Sequence, residues 1–535
     1  MKNPLKLILI FVFISSILYS QERFWGLYPG WKINKANENN NGYTLIGSDT
    51  INQGYANTPI IINIDQYGNQ ESVVRYINDT VDGITTYSPN VYSFSDEYIS
   101  VYGSYIEYYK DYNLFPILMT FNKTDFSLES IVNLKTYFEN RSAIIWVQKE
   151  SGNGKNILAG NVQYSRQSDA PTFFGFYDPI TDTLIYKVYD APSHCRMTPY
   201  QIFSTVDGGY LLSCEQDMTY SYPEEVYACI LKLDSEGNEQ WRYVVSDRIV
   251  ETIYGPAERA TYRPRIFDSP DGNFWLVWTD PRIITPTYMG GNDDCRVWIA
   301  KLTDNGDSCT LTEERDLMHE FDDPEQNWWL INDSYQAVDG TMYILLQNFW
   351  DYKSAMAKIH PNGVGAWFRT YKCYPEDVGS SYTYLKGMTA TSDGGFMLTG
   401  GYLNHGTEIF PEGIIASVVF KVDSCGCFEE EGCNDHCMDS YSEHYVYMAE
   451  ASVYPNPASD KITVSFDYQG GETEFEYKIY SLDGKAMQSG TFRAQFENLS
   501  VAPQCPLSVY DLPSGCYMIQ FWGGGKIFTG KFVKE

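Results

Sequence analysis

A pair of short turns recurs through the middle of this 535-residue chain, and it limits the fold more than any other feature. The first turn is Asp207-Gly208, Asp271-Gly272, Asp339-Gly340 and Asp393-Gly394, each between apolar runs such as Tyr210-Leu211-Leu212. Asp-Gly in that setting signals a hairpin, because Gly supplies the positive φ that a tight two-residue turn demands. Roughly 20 to 35 residues later comes a second turn: Lys232-Leu233-Asp234-Ser235-Glu236-Gly237, Lys301 to Gly306, Lys358 to Gly363 and Lys421 to Gly426. It is found upstream as Asn63 to Gly68, and in degenerate form at Asn122 to Asp125 and Tyr177 to Asp182. Seven such turns lie 55 to 69 residues apart. Each unit supplies two hairpins, hence four antiparallel strands.

Four-stranded units repeated four to eight times close into a ring that hides strand edges, whereas a solenoid needs shorter coils and separate sandwiches need longer units. The spacing predicts an all-β chain with a seven-bladed β-propeller over 21–430, six or eight blades being the alternatives. The strand near Trp25-Gly26-Leu27 is expected to join the last blade and latch the ring. The units resemble, loosely, the propeller-type repeats with Asp-Gly-Gly and Lys-apolar-Asp-x-x-Gly signatures of secreted Bacteroidetes proteins.

With 43% hydrophobic, 16% aromatic and 20% charged residues the chain reads as packed rather than disordered. Its formal net charge is -31 and no basic run is present, which excludes nucleic acid as a partner. Lys2 and Lys6 precede an apolar run from Leu7 to Leu18, ending Tyr19-Ser20-Gln21. This predicts a secretory signal peptide over 1–20. The run is shorter than the roughly 20 residues of a membrane span, and none is expected in the mature chain.

From residue 451 the pattern changes. Tyr454-Pro455-Asn456-Pro457, alternating Ile462, Val464 and Phe466, Asp483-Gly484-Lys485, Leu512-Pro513-Ser514-Gly515-Cys516-Tyr517 and Lys531-Phe532-Val533-Lys534 follow in order. Read physically, they predict a small β-sandwich over 451–535 with an Asp-Gly hairpin. The four motifs closely resemble the type A C-terminal sorting domain of the type IX secretion system. The resemblance implies a partner, the outer-membrane translocon and its sorting machinery, and delivery to the cell surface or the medium.

Twelve cysteines in an exported chain are expected to pair where geometry allows. Cys425, Cys427, Cys433 and Cys437 cluster in the linker 431–450 and just before it. With His436 they offer zinc ligands, but Cys425-x-Cys427 is tighter than the usual ligand spacing and the compartment oxidising, so disulfides are the expectation and no metal is assigned. Cys505 and Cys516 suggest a further disulfide bracing the last hairpin.

Six histidines, no second His after His319-Glu320 and no Gly-x-Ser-x-Gly leave a nucleophile-and-base enzyme unsupported, and no catalytic residue or cofactor is assigned. Asp234 to Trp241 resembles the Asp box of sialidases, but its Gly falls one residue late, and the repeat-turn reading is preferred. Carboxylate pairs for glycoside chemistry remain open, since their separation is a three-dimensional fact. Asp293-Asp294 lacks the alternating carboxylates of a calcium loop. Asp49-Thr50-Ile51, Asp79-Thr80-Val81 and Asp182-Thr183-Leu184 resemble the O-glycosylation acceptor of this phylum. Tyr98, Tyr102, Tyr105 and Tyr108, with Trp328 and Trp329, are the candidate ligand-binding rings, against inter-blade packing as the other reading. The expected function is a secreted or surface binding and adhesion module for a glycan or an extracellular protein. The alternative is a carbohydrate-active hydrolase or lyase with carboxylates at the channel.

Overall fold

The computed structural model describes residues 24–29, 31–49, 58–75, 87–95, 97–106, 114–139, 141–151, 154–163, 170–190, 195–218, 225–245, 249–252, 255–258, 261–282, 294–321, 329–348, 353–371, 381–404, 414–427, 447–466, 473–481, 486–494, 504–523 and 526–535. The leader 1–20, Tyr108, Trp328, Cys433, His436, Cys437 and Asp483-Gly484-Lys485 lie outside them.

Among the described residues, seven four-stranded antiparallel sheets follow one another, built from residues 31–75, 87–133, 142–189, 195–244, 262–316, 329–371 and 381–422. The first six use consecutive strands in simple order. The seventh takes three strands from 381–422 and its fourth from the other end of the chain: Phe24–Pro29 pairs antiparallel with Ile414–Val422, Leu27 opposite Val418. The expected latch is therefore present.

The first strand of each sheet packs against the sheet before it, and that of the first sheet packs against the seventh. At that last joint the Ser417 hydroxyl accepts from the Ile33 backbone N–H at 2.6 Å and Thr389 donates to the Ala36 carbonyl at 2.9 Å. Between sheets the cores are apolar and continuous: Phe267, Trp275 and Val277 of the fifth pack with Ile331, Ile344 and Leu346 of the sixth.

Tyrosines clasp several joints. Tyr28 donates to the Gly68 carbonyl at 2.9 Å, Tyr189 to Gly237 at 2.6 Å and Tyr371 to Gly426 at 3.0 Å. In each case a hydroxyl of one sheet reaches the second turn of the following sheet, so the repeating glycine turn is also a docking point. Six of the seven second turns join the third and fourth strands of their sheets; the seventh follows the third strand of its sheet, whose fourth strand comes from the N-terminus.

Both turns differ from the two-residue form expected. In the first, Gly208 N–H donates to Thr205 O at 3.0 Å and Thr205 N–H to Gly209 O at 3.0 Å, with Gly208 at φ 81. This is a three-residue loop, a type I turn closed by a left-handed Gly, which lets Asp207 Oδ1 accept from Gly209 N–H at 3.1 Å. Asp234 to Asn238 repeats the geometry.

The two turns are coupled within a sheet. The lysine opening the second motif lies opposite the residue four past the aspartate of the first: Leu211 with Lys232, Trp275 with Lys301, Tyr343 with Lys358, Met397 with Lys421. That register carries Lys232 Nζ to 2.7 Å from Asp207 Oδ2, and brings Lys301 onto Asp271.

The C-terminal strands form a separate set. Tyr447–Tyr454 is shared: its first half pairs parallel with Lys526–Lys534 and its second half antiparallel with Lys461–Phe466. Ile462, Val464, Phe475, Ile479, Phe521 and Phe528 fill one core between the two groups of strands. The expected Cys505–Cys516 disulfide is not formed. Strand alternation turns Cys505 into that core and Cys516 out to solvent, and both thiols are free. Cys425 and Cys427 are buried, their N–H groups donating to Asp423 Oδ1 at 2.8 and 2.9 Å, and neither is among the free thiols.

Candidate binding site on the inner strands

The strands that meet around the ring share one irregularity. Each pairs with its neighbour through a register shift at the same place: between Ile33 and Lys35, Pro89 and Val91, Ile145 and Val147, Pro199 and Gln201, Tyr262 and Arg265, Ile331 and Asp333, and Leu385 and Gly387. A bulge leaves one residue unpaired and re-aims its side chain. The residues so released are Asn34, Trp146, Tyr200, Arg263 with Pro264, Asn332 and Lys386, and the backbone of position 90 is unpaired in the second sheet. Arg263 also carries φ 49, a left-handed conformation unusual for a side chain of its size.

These positions touch from sheet to sheet. Asn34 Nδ2 donates to the Tyr92 hydroxyl at 2.9 Å. Arg263 donates through Nη1 to Asn332 Oδ1, and Asn332 Nδ2 in turn donates to the Leu385 carbonyl at 2.6 Å. Gly387 lets the ring close, since a Cβ there would lie 2.2 Å from the Asn34 carbonyl oxygen.

The chemistry is mixed aromatic and cationic. Trp146 is fixed by donating Nε1–H to Asn161 Oδ1 at 2.7 Å, with the Arg196 guanidinium 5.8 Å from its ring. Arg265 lies 5.1 Å from the Tyr200 ring and donates Nη2–H to the Asn332 carbonyl at 2.8 Å. Burial, with Glu215 beside it, pushes the Tyr200 hydroxyl up to about 12; burial draws Arg265 down to about 10. Two carboxylates sit at this level. Glu215 Oε2 accepts from Arg263 N–H at 3.2 Å, and Asp333 Oδ2 accepts from Met388 N–H at 2.9 Å, with Lys35 Nζ 3.4 Å away.

Lys386 is exposed to solvent, yet protein surrounds it closely enough that burial, followed by the charges of Lys32 and Arg263, lowers its ammonium to about 8. Among the described residues no group of three or more His, Cys, Asp or Glu is placed to hold a metal.

The rings chosen from sequence fall elsewhere. Tyr102 and Trp329 are fully buried, Tyr102 with Phe138 and Phe173, Trp329 with Phe368 at 5.0 Å, so neither offers a face to a ligand. They are packing residues. Tyr98 is 40% exposed at the start of its strand, and Tyr105 lies within Tyr98–Ile106 opposite Tyr87. Among the described residues, the side chains of Tyr98, Tyr102 and Trp329 are not brought together into one site. Sequence reasoning missed the bulge ring, whose only common signal is position within the inner strand.

The sorting motifs do come together. Asn456 clamps the last strand, accepting from Val533 N–H at 2.9 Å and donating to the Lys531 carbonyl at 3.2 Å, while Ala458 N–H donates to Val533 O at 2.8 Å. The peptide bonds before Pro455 and Pro457 are both cis, and Tyr454 is 43% exposed. Tyr517 stacks on Phe532 at 5.4 Å and donates to the Pro513 carbonyl at 2.7 Å. Lys531 is exposed and Lys534 buried; Gly515 begins the strand carrying Tyr517.

Residues 452–535 match the family described as the secretion system C-terminal sorting domain. That domain marks the chain for secretion to the cell surface or extracellular space through the type IX machinery. No helix among the described residues is long and apolar enough to cross a membrane. No curated protein matches the chain. Solved structures with a similar fold include a polysaccharide lyase, Uly1, at 10% identity, covering 73% of this chain and 90% of that one with a TM-score of 0.43. Others are the Penicillium chrysogenum alpha-L-arabinanase with arabinobiose, at 12% identity, 63% and 99% coverage and a TM-score of 0.37, and the Fusarium graminearum GH93 alpha-L-arabinofuranosidase with arabinobiose, at 10%, 60% and 89%, and 0.36.

Proposed function

We propose that the seven sheets over 21–430 are the blades of a seven-bladed β-propeller, that residues 451–535 form a sorting β-sandwich, and that the secreted propeller is a binding or adhesion module for a glycan or an extracellular protein. The observation that carries this is the bulge ring: aromatic and hydrogen-bonding side chains released from strand pairing at one level of a rigid closed scaffold. Cys425, Cys427, Cys433 and Cys437 are, in this reading, disulfide cysteines, with their pairing left open.

The test is to screen the full exported chain against arrays of polysaccharides and extracellular proteins, reading retention and release of reducing sugar together. Retention that Trp146→Ala abolishes supports the module. Retention by no array member, with no sugar released, sinks it.

A hydrolase or lyase is the second reading, favoured by the two carboxylates Glu215 and Asp333 at the level of the ring. Sugar release that falls with Glu215→Gln would establish it in place of simple binding.

A further inference from the structure

The chain carries a formal net charge of -31, yet Lys386 and Arg263 are both released by inner-strand bulges, and Lys32 lies two residues before a third released position, Asn34. Among the described residues no carboxylate lies within ion-pair distance of any of the three. Lys386 is placed by its bulge beside Leu385, whose carbonyl accepts from Asn332, and Asn332 holds the Arg263 guanidinium. One hydrogen-bond chain therefore links the Arg263 guanidinium to the backbone of Leu385, the residue before Lys386. Lys32 lies two residues before Asn34, whose carbonyl abuts Gly387.

We infer that this trio is the receptor for an acidic polysaccharide, the carboxylate or sulfate of a sugar residue taking the place of the missing counter-ion. The inference rests on the binding-module reading and names its ligand. Cations without an anion repel one another, and the repulsion is relieved only when a ligand brings the opposite charge. Burial, followed by the charges of Lys32 and Arg263, lowers the Lys386 ammonium. Trp146 and Tyr200, released by the bulges of neighbouring sheets, give flat apolar surface on the same ring, which suits the C–H face of a sugar. A polynucleotide would bring a phosphate at every step against a strongly acidic protein, and is disfavoured. An acidic glycan presents a localised charge to a local patch.

The experiment uses the full exported chain and polygalacturonate as probe, with neutral galactan and single-stranded DNA beside it, measured by affinity electrophoresis and calorimetry. Polygalacturonate is expected to bind with a salt-sensitive constant, galactan to bind at least about tenfold more weakly. Lys386→Gln, at an exposed position that leaves the fold intact, should weaken polygalacturonate about tenfold, and Lys386→Arg should restore it. Equal binding of galactan, or unchanged affinity in Lys386→Gln, overturns the anionic ligand and leaves the binding module standing. Binding of neither polymer overturns the anionic ligand, and with an empty array it takes the module with it. DNA that displaces polygalacturonate and binds more tightly overturns the glycan in favour of a nucleic acid.

Discussion

Lys421 Nζ lies 2.7 Å from Asp393 Oδ2, the lysine wholly buried and the aspartate at the tip of the hairpin that precedes it by 28 residues. The same pairing in other sheets explains why the two turn motifs travel together in the repeat. The aspartate shapes its own turn by accepting from Gly395 N–H at 2.9 Å, and its second oxygen neutralises the lysine. Removing one partner of such a pair strands the other. Asp393→Ala should cost about 3 kcal/mol, because it leaves an ammonium in the core. Lys421→Met should cost about 1 kcal/mol or less, because Asp393 keeps some solvent. Urea denaturation of both variants checks this, and equal losses would show that the charge is not what matters.

Acid should weaken the propeller through the same pairs. Burial pushes the Asp207 carboxyl up, but hydrogen bonds from Lys232, Thr205 and Gly209 N–H outweigh it and hold the group at about 2. Asp271, Asp339 and Asp393 are likewise lowered. A carboxyl whose folded value lies below its unfolded one stabilises the fold above roughly pH 4 and loses that contribution as pH falls toward 2. Thermal melting followed from pH 6 to pH 2 should show the midpoint fall below pH 4. In Asp207→Asn the native protein should start lower and decline less over that window.

How much of this was legible depended on range in the chain. The Asp-Gly turns and their period were visible because a turn is specified by four or five adjacent residues. The N-terminal latch was legible as a missing fourth strand. The bulge ring was not: Asn34, Trp146, Tyr200, Arg263, Asn332 and Lys386 have no residue type common to all, and a bulge exists only relative to a partner strand. Tyrosines were ambiguous for a related reason. The rings from Tyr98 onward could be read as ligand-binding or as inter-blade packing, and Tyr102 is buried between sheets, since ring closure covers a face that an isolated hairpin would expose.

The N-terminal strand should matter more for closure than its six residues suggest. Tyr28 sits on it, 7% exposed, and its hydroxyl bonds the Gly68 carbonyl of the first sheet, so one residue ties the seventh sheet to the first. Burial, with Asp65 nearby, raises its ionisation well above the usual phenol value, and the hydroxyl stays protonated as a donor. Tyr28→Phe leaves a carbonyl without this donor and should lower stability by about 1 kcal/mol. Hydrogen exchange should show faster opening confined to Phe24–Pro29 and Ile414–Val422. Uniform acceleration across all sheets would mean that closure is not local to that seam.

Asn456 gives the most direct handle on export. Its side chain replaces a strand neighbour for Lys531 and Val533, joining the first and last sorting motifs 75 and 77 residues apart. Asn456→Ala deletes both hydrogen bonds and leaves Val533 N–H without this acceptor, a loss of about 1 to 3 kcal/mol in the C-terminal unit. Asn456→Asp keeps the acceptor for Val533 but sets a carboxylate against the Lys531 carbonyl, and should be no better. If the translocon reads the docked terminal strand, both variants should accumulate in the periplasm and be depleted at the surface, measured by fractionation and surface protease. Normal surface display of a variant whose melting point has fallen would show that the sorting machinery reads the motif residues as a linear segment instead.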